Sequence, residues 1–186
     1  NGVAQILRLQ NPVEVVAAPL AAALRAARER HSVHAKPIPP DVRSALSGVF
    51  ESSTLQRAKY AVGKIEITLP NFIGLGKRVM GTDHAVVADD IIVFNTEPPP
   101  YSQGAFWWVH EMTHVDQYRR MGVDAFAFKY LIDLGSSIEG EADRRAAQVT
   151  GSSGFGSAST SAAGAGARGS NPMTRRQERQ QEYYIA

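Results

Sequence analysis

Three consecutive prolines, Pro98 to Pro100, stand just past the midpoint of the chain. No helix or strand can run through them, because each lacks a backbone N–H and holds φ near one value. They divide the sequence into two halves with different patterning. Downstream, "SQGAFWWVHEMTHVDQYRRM" predicts a helix capped by Ser102 and running to about Met121, where Gly122 supplies the stop. "VDAFAFKYLIDLG" predicts a second helical segment, and "SSIEGEADRRAAQV" a third that begins near Ser136 or Ser137. Upstream lie the strand signals. "YAVGKIEITLP" gathers Ile65, Thr68 and Leu69 before Pro70 ends the run, and "HAVVADDIIVF" reads as two short strands around Asp89-Asp90 or one strand bulged there. Before these, residues 12 to 31 carry apolar residues at helical spacing, with Pro19 starting the helix late or kinking it. "KPIPP" breaks the chain, Asp41 is placed to cap a short helix over "VRSALSGVF", and "STLQRA" adds a further turn. Helices segregated from a small sheet make this an α+β fold.

A length of 186 residues suits one principal domain, and 44% hydrophobic with 20% charged residues is enough apolar material for a core. The expected boundaries are an N-terminal helix over 1–35, a main domain over 36–150, a Gly/Ser/Ala-rich linker over 151–169 and a basic tail over 170–186. The formal charge is +2 and the pI about 9.0, with 15 Arg against 5 Lys scattered along the chain. Nucleic acid would require those charges on one face, so none is expected as a partner. Without cysteine, neither a disulfide framework nor a thiolate site can form. No apolar run approaches the roughly 20 residues of a membrane helix.

The helix after the prolines contains His110, Glu111 and His114. Residues four apart share a helix face, so the two imidazoles can address one ion. Zinc binds neutral imidazole, and a catalytic zinc takes three protein ligands, leaving a position open. Glu111 points to the side of the ion and is placed to act as general base. Two histidines cannot complete such a site. Glu139 on the third helical segment is the preferred third ligand, with Asp143 one turn on and able to hold the free ring nitrogen of a ligating histidine. Glu141 is the rival, but it lies about 200° around the helix from Glu139 and has no carboxylate at i+4. Trp107 and Trp108 are expected to anchor the helix in the core, and His31 and His34 to lie at the surface.

"WVHEMTHVDQYRRMGVDAFAFKYL" followed by "IEGEADRRA" resembles the gluzincin metallopeptidases and, within them, the minimal forms called minigluzincins. It looks most like the small bacterial metallopeptidase domain met beside polymorphic toxins and contractile injection systems. The resemblance covers roughly residues 40 to 150. It rests on His-Glu-x-x-His, the Gln-Tyr and Gly after it, an aromatic pair before a Tyr, and the Glu-x-Glu-Ala-Asp-Arg block. It implies a zincin-like fold, one zinc ion on His110, His114 and Glu139, and Glu111 as the base. It further implies a substrate peptide paired along an edge strand at His84, Ala85, Val86 and Val87. Tyr130, after "FAF", is the candidate for stabilising the oxyanion, with Tyr118 and His84 also open. Asp116 departs from the pattern, which favours an apolar residue there.

A zinc-dependent endopeptidase acting on peptides or proteins is the function these features point to. The alternatives are a catalytically silent zinc-containing scaffold that only binds peptide, or a peptidase inhibited by its own C-terminal tail. The start at Asn1 together with the resemblance suggests an exported bacterial protein.

Overall fold

The structure is a computed structural model that describes residues 12–64, 67, 84–133 and 135–151. The linker beyond Gly151, the basic tail, and Ile65, Thr68 and Leu69 of the first strand signal lie outside the described residues. Among the described residues the order is α1 (Pro12–Ser32), β1 (Lys36–Pro37), α2 (Pro40–Leu46), α3 (Ser52–Arg57), β2 (Lys59–Val62), β3 (Ala85–Ala88), β4 (Ile91–Phe94), α4 (Tyr101–Asp133) and α5 (Ser136–Thr150). This is an α+β arrangement with a small mixed sheet. None of the described helices is long and apolar enough to cross a membrane.

The sheet runs β1-β2-β4-β3. β3 and β4 form an antiparallel hairpin with Ala85 opposite Phe94 and Ala88 opposite Ile91, so of the two readings of "HAVVADDIIVF" the paired strands are correct. Asp89 turns the chain at φ 58°, a left-handed value that aspartate tolerates better than most residues. Arg57 and Arg28 hold the turn from α3 and α1, at 2.6 Å from Asp89 and 2.7 Å from Asp90. β2 lies parallel to β4, with Lys59 opposite Ile91 and Val62 opposite Phe94. Just past β2 the N–H of Gly63 donates to the Phe94 carbonyl at 2.9 Å.

Two of the expected caps are corrected. α2 begins at Pro40, where the missing N–H costs nothing in a first turn, and Asp41 does not cap it. The Asp41 carboxylate instead accepts the N–H of Tyr101 at 3.0 Å, closing the start of α4 in place of Ser102. That bond holds the Asp41 carboxyl below its usual range. At α5 no serine hydroxyl serves as the cap. Asp133 accepts the Ser137 N–H at 3.0 Å.

α1 passes through Pro19 without interruption. It places Leu20, Ala21, Leu24 and Ala27 in the same core as Trp108 and Met112, so the segment set apart as 1–35 shares its packing with the main domain. α4 breaks at Gly122, where φ 78° and ψ 166° are accessible to glycine alone at little cost. Its first stretch is the centre of the molecule, packed by α1, α5, α2 and the sheet. Every residue from Trp108 to Tyr118 is buried. A helix covered on all sides should be apolar throughout. This one carries six polar or ionisable residues, His110, Glu111, Thr113, His114, Asp116 and Gln117, each of which needs a partner to offset its lost hydration.

Candidate metal centre

Burial selects what the six polar residues can do. Thr113 donates to the Val109 carbonyl one turn back, a local solution. Asp116 accepts from Thr54 at 2.9 Å, from Arg119 and Arg120 at 3.1 Å and from Arg145 at 3.2 Å. Burial raises its pKa, and these donors outweigh that and hold it below the ordinary value. Asp116 therefore joins α3, α4 and α5. Arg145 continues the tie by donating to the Val49 carbonyl and lying over the Phe50 ring, 4.1 Å from its centre.

His110 and His114 face one point. Their Nε2 atoms are 3.1 Å apart, and Glu139 Oε2, from the first turn of α5, is 3.3 Å from the first and 3.8 Å from the second. Donors bonded tetrahedrally at about 2.0–2.1 Å to one ion stand about 3.3–3.4 Å from one another, and the three observed separations bracket that chord. These three side chains could hold a metal ion. Both histidines are buried and Glu139 is 21% exposed, so the cluster opens toward solvent on the carboxylate side. Gly135, at φ 84°, turns the chain into α5 and accepts the Glu139 N–H at 2.8 Å, fixing the backbone of that ligand.

The outer nitrogens are held differently. His110 Nδ1 lies 2.9 Å from Asp143 Oδ1, although the approach is too far off line to count as a formed hydrogen bond. His114 Nδ1 meets Gln117 Oε1 at 2.8 Å. Burial works against protonation of His110, but Asp143 and Glu139 overcome it and raise the pKa to about 10. Burial and the neighbouring His110 together lower that of His114.

The structure brings together the expected ligands His110, His114 and Glu139, with Asp143 beside them. Glu141 is excluded as a rival because it accepts from Gln117 at 3.0 Å and also from Arg120. Glu111 is buried next to His110 and its charge acts on that ring. Tyr130 stacks on Phe126 with 17° between the rings, and Phe126 in turn meets His114 edge-on. Tyr118 is fully buried and gives its hydroxyl to the Val87 carbonyl, which removes it from the oxyanion candidates. Among the described residues β3 stands at the end of the sheet order. The Asn95 N–H to His84 carbonyl bond makes that pair hydrogen-bonded, and the antiparallel alternation then turns the Val87 main chain away from β4. Its outward carbonyl is the one Tyr118 occupies, and Ala85, Val86 and Val87 are buried. The accessible end of this strand is His84.

The two tryptophans part company. Trp108 is buried and donates to the Pro99 carbonyl at 2.9 Å, as an anchor should. Trp107 is only partly buried and lies beside the cluster, its ring 6.2 Å from His110 and 5.9 Å from His84, while Phe106 stacks near His110 at 6.3 Å. The expectation that both tryptophans serve the core is therefore corrected for Trp107. Consecutive helical residues point about 100° apart, which was enough to separate their roles. His34 is exposed, and His31 is half-buried against Gly63. Comparison of the chain with protein-family models, with curated proteins and with solved structures gives no significant match.

Proposed function

We propose that this chain is a zinc-dependent endopeptidase of gluzincin type. The observation that carries the reading is the convergence of His110, His114 and Glu139 on one point, with Glu111 buried next in sequence to the first ligand. Two imidazoles and one carboxylate suit zinc, which accepts both donor types and keeps a further position open when only three protein ligands are supplied. When bound, zinc supplies Lewis acidity toward a substrate carbonyl oxygen and toward water.

The chain's own groups account for the proton. Glu111 takes one from the attacking water and delivers it to the departing amine nitrogen, so that one carboxylate serves as base and then as acid. Asp143 and Gln117 keep the ligand rings turned inward by their contacts with the outer nitrogens. The negative charge that grows on the carbonyl oxygen calls for a donor, and Tyr130, stacked on the Phe126 ring that meets His114, is assigned that role. Substrate main chain is assigned to the β3 edge at its His84 end, because Tyr118 already holds the Val87 carbonyl. The partly exposed Trp107 and Phe106 flank this path.

Metal analysis joined to cleavage of a peptide library tests the reading. Wild type should bind one zinc per chain and cleave. Glu111→Gln should bind the same zinc and lose cleavage by a factor of about 10² to 10⁴, the range for removal of a general base. Zinc binding without cleavage by wild type, including protein truncated after Gly151, would leave a peptide-binding scaffold. Absence of zinc would end both readings.

A further inference from the structure

We infer that Gln117 is the positioning residue of this centre: through one amide it selects the tautomer of His114 and fastens the helix that carries Glu139. The inference rests on the metal-site reading above and goes beyond it, since the three ligands and the base do not by themselves say what a glutamine at this position does.

Gln117 is completely buried, so each polar atom of its amide has to be accounted for. Nε2 donates to the carbonyl of Ile138 and to the carboxylate of Glu141, both at 3.0 Å. Both hydrogens are used. A flipped amide would aim its oxygen at that carbonyl and that carboxylate, neither of which can donate, so the orientation is fixed by α5. Oε1 is left facing His114 Nδ1 at 2.8 Å. An amide oxygen can only accept, so the ring carries its hydrogen on Nδ1 and presents a bare lone pair on Nε2, the atom aimed at the cluster.

The same side chain sets the other ligand. Ile138 immediately precedes Glu139, so the bond to its carbonyl fixes the backbone beside the ligating carboxylate. Glu141 is held from its far side by Arg120, which also donates to Asp116 at 3.1 Å. A continuous line of hydrogen bonds thus runs Asp116, Arg120, Glu141, Gln117, His114 across the α4–α5 contact. A purely structural glutamine would be indifferent to which nitrogen of His114 is protonated. This one is not.

Zinc affinity and ring tautomer both read the effect without any cleavable peptide, so failure of the peptidase reading would not be mistaken for failure here. In Gln117→Met, which keeps the volume and removes the amide, zinc affinity by competition with a chromophoric chelator should fall about 10- to 100-fold. Affinity within about threefold of wild type would overturn the inference. Long-range proton–nitrogen correlation spectra of the metal-free protein should show neutral His114 with hydrogen on Nδ1. Because the His110 ring also faces Nε2, the spectrum is recorded in His110→Ala as well, where Gln117 alone can impose that tautomer. Hydrogen on Nε2 in either protein would overturn the inference, and in wild type that outcome can be read even if a variant fails to fold.

Discussion

Replacing Asp116 by alanine isolates the polar tie between α3, α4 and α5 from the metal site itself. The carboxylate is 8% exposed and receives Thr54, Arg119, Arg120 and Arg145. The arginines do not lose everything with it. Arg119 keeps Glu51 at 3.0 Å, Arg120 keeps Glu141, and Arg145 keeps the Val49 carbonyl at 2.7 Å. With side chains 23%, 43% and 29% exposed, each is also partly hydrated, so each lost pairing counts as a surface-like pair of about 0–1 kcal/mol. Thr54 has no such recourse. Its hydroxyl is fully buried and loses its acceptor, a desolvation cost of about 1–3 kcal/mol. Together Asp116→Ala should destabilise by about 1–6 kcal/mol, which at a urea slope of about 2 kcal/mol per molar moves the unfolding midpoint down by about 0.5–3 M. In a Thr54→Val background the orphaned hydroxyl is gone, so the same substitution should cost less, and the difference is the coupling energy. A midpoint for Asp116→Ala indistinguishable from wild type, or no coupling to Thr54, would refute the assignment of Asp116 as a structural hub.

The same carboxylate gives a pH signature. Its folded-state pKa lies below the ordinary 3.8, so its stabilisation is fully present above that value and is lost as pH falls through the folded-state value. The gap in urea midpoint between wild type and Asp116→Asn should therefore narrow below about pH 4; a gap that stays constant into stronger acid would contradict the sign. Asp143→Asn should weaken zinc binding by about 10- to 100-fold in chelator competition while leaving the far-ultraviolet spectrum unchanged, because Asp143 is 54% exposed and touches the cluster only through His110 Nδ1. Unchanged affinity would mean that the 2.9 Å approach does not orient the ring.

The candidate cluster was legible because helical periodicity places His110 with His114, and Glu139 with Asp143, on shared faces, and the motif upstream singled out the carboxylate. Gln117 was equally visible, but its role depends on Ile138 and Glu141 arriving beside it, and no local rule says where α5 crosses α4. Asp41 shows the same limit: its preference for a helix N-terminus was readable, but the helix it closes begins at Tyr101 rather than at its own position. That β2 pairs in parallel with β4 rather than with β3 is likewise a non-local fact. Asp116 broke an apolar pattern for a reason held in Thr54 and Arg145, on two other helices.

The bonds that set the α4–α5 crossing use none of the metal-ligating atoms. Gln117 to the Ile138 carbonyl, Arg120 to Glu141 and Arg145 to Asp116 run along the contact, separate from the candidate ligand nitrogens and Glu139 Oε2, which stand 3.1, 3.3 and 3.8 Å apart. A site organised in this way differs from small zinc domains in which the metal drives folding. Little of the binding free energy is consumed in ordering the chain, so it adds to stability by mass action, about 4 kcal/mol when free zinc is a thousand times the dissociation constant. The metal-free protein should therefore keep its far-ultraviolet spectrum and unfold cooperatively, with zinc raising the midpoint progressively with concentration. Collapse of secondary structure on chelation would show instead that the polar ties across α4 and α5 are too weak to hold the ligands in place without the ion.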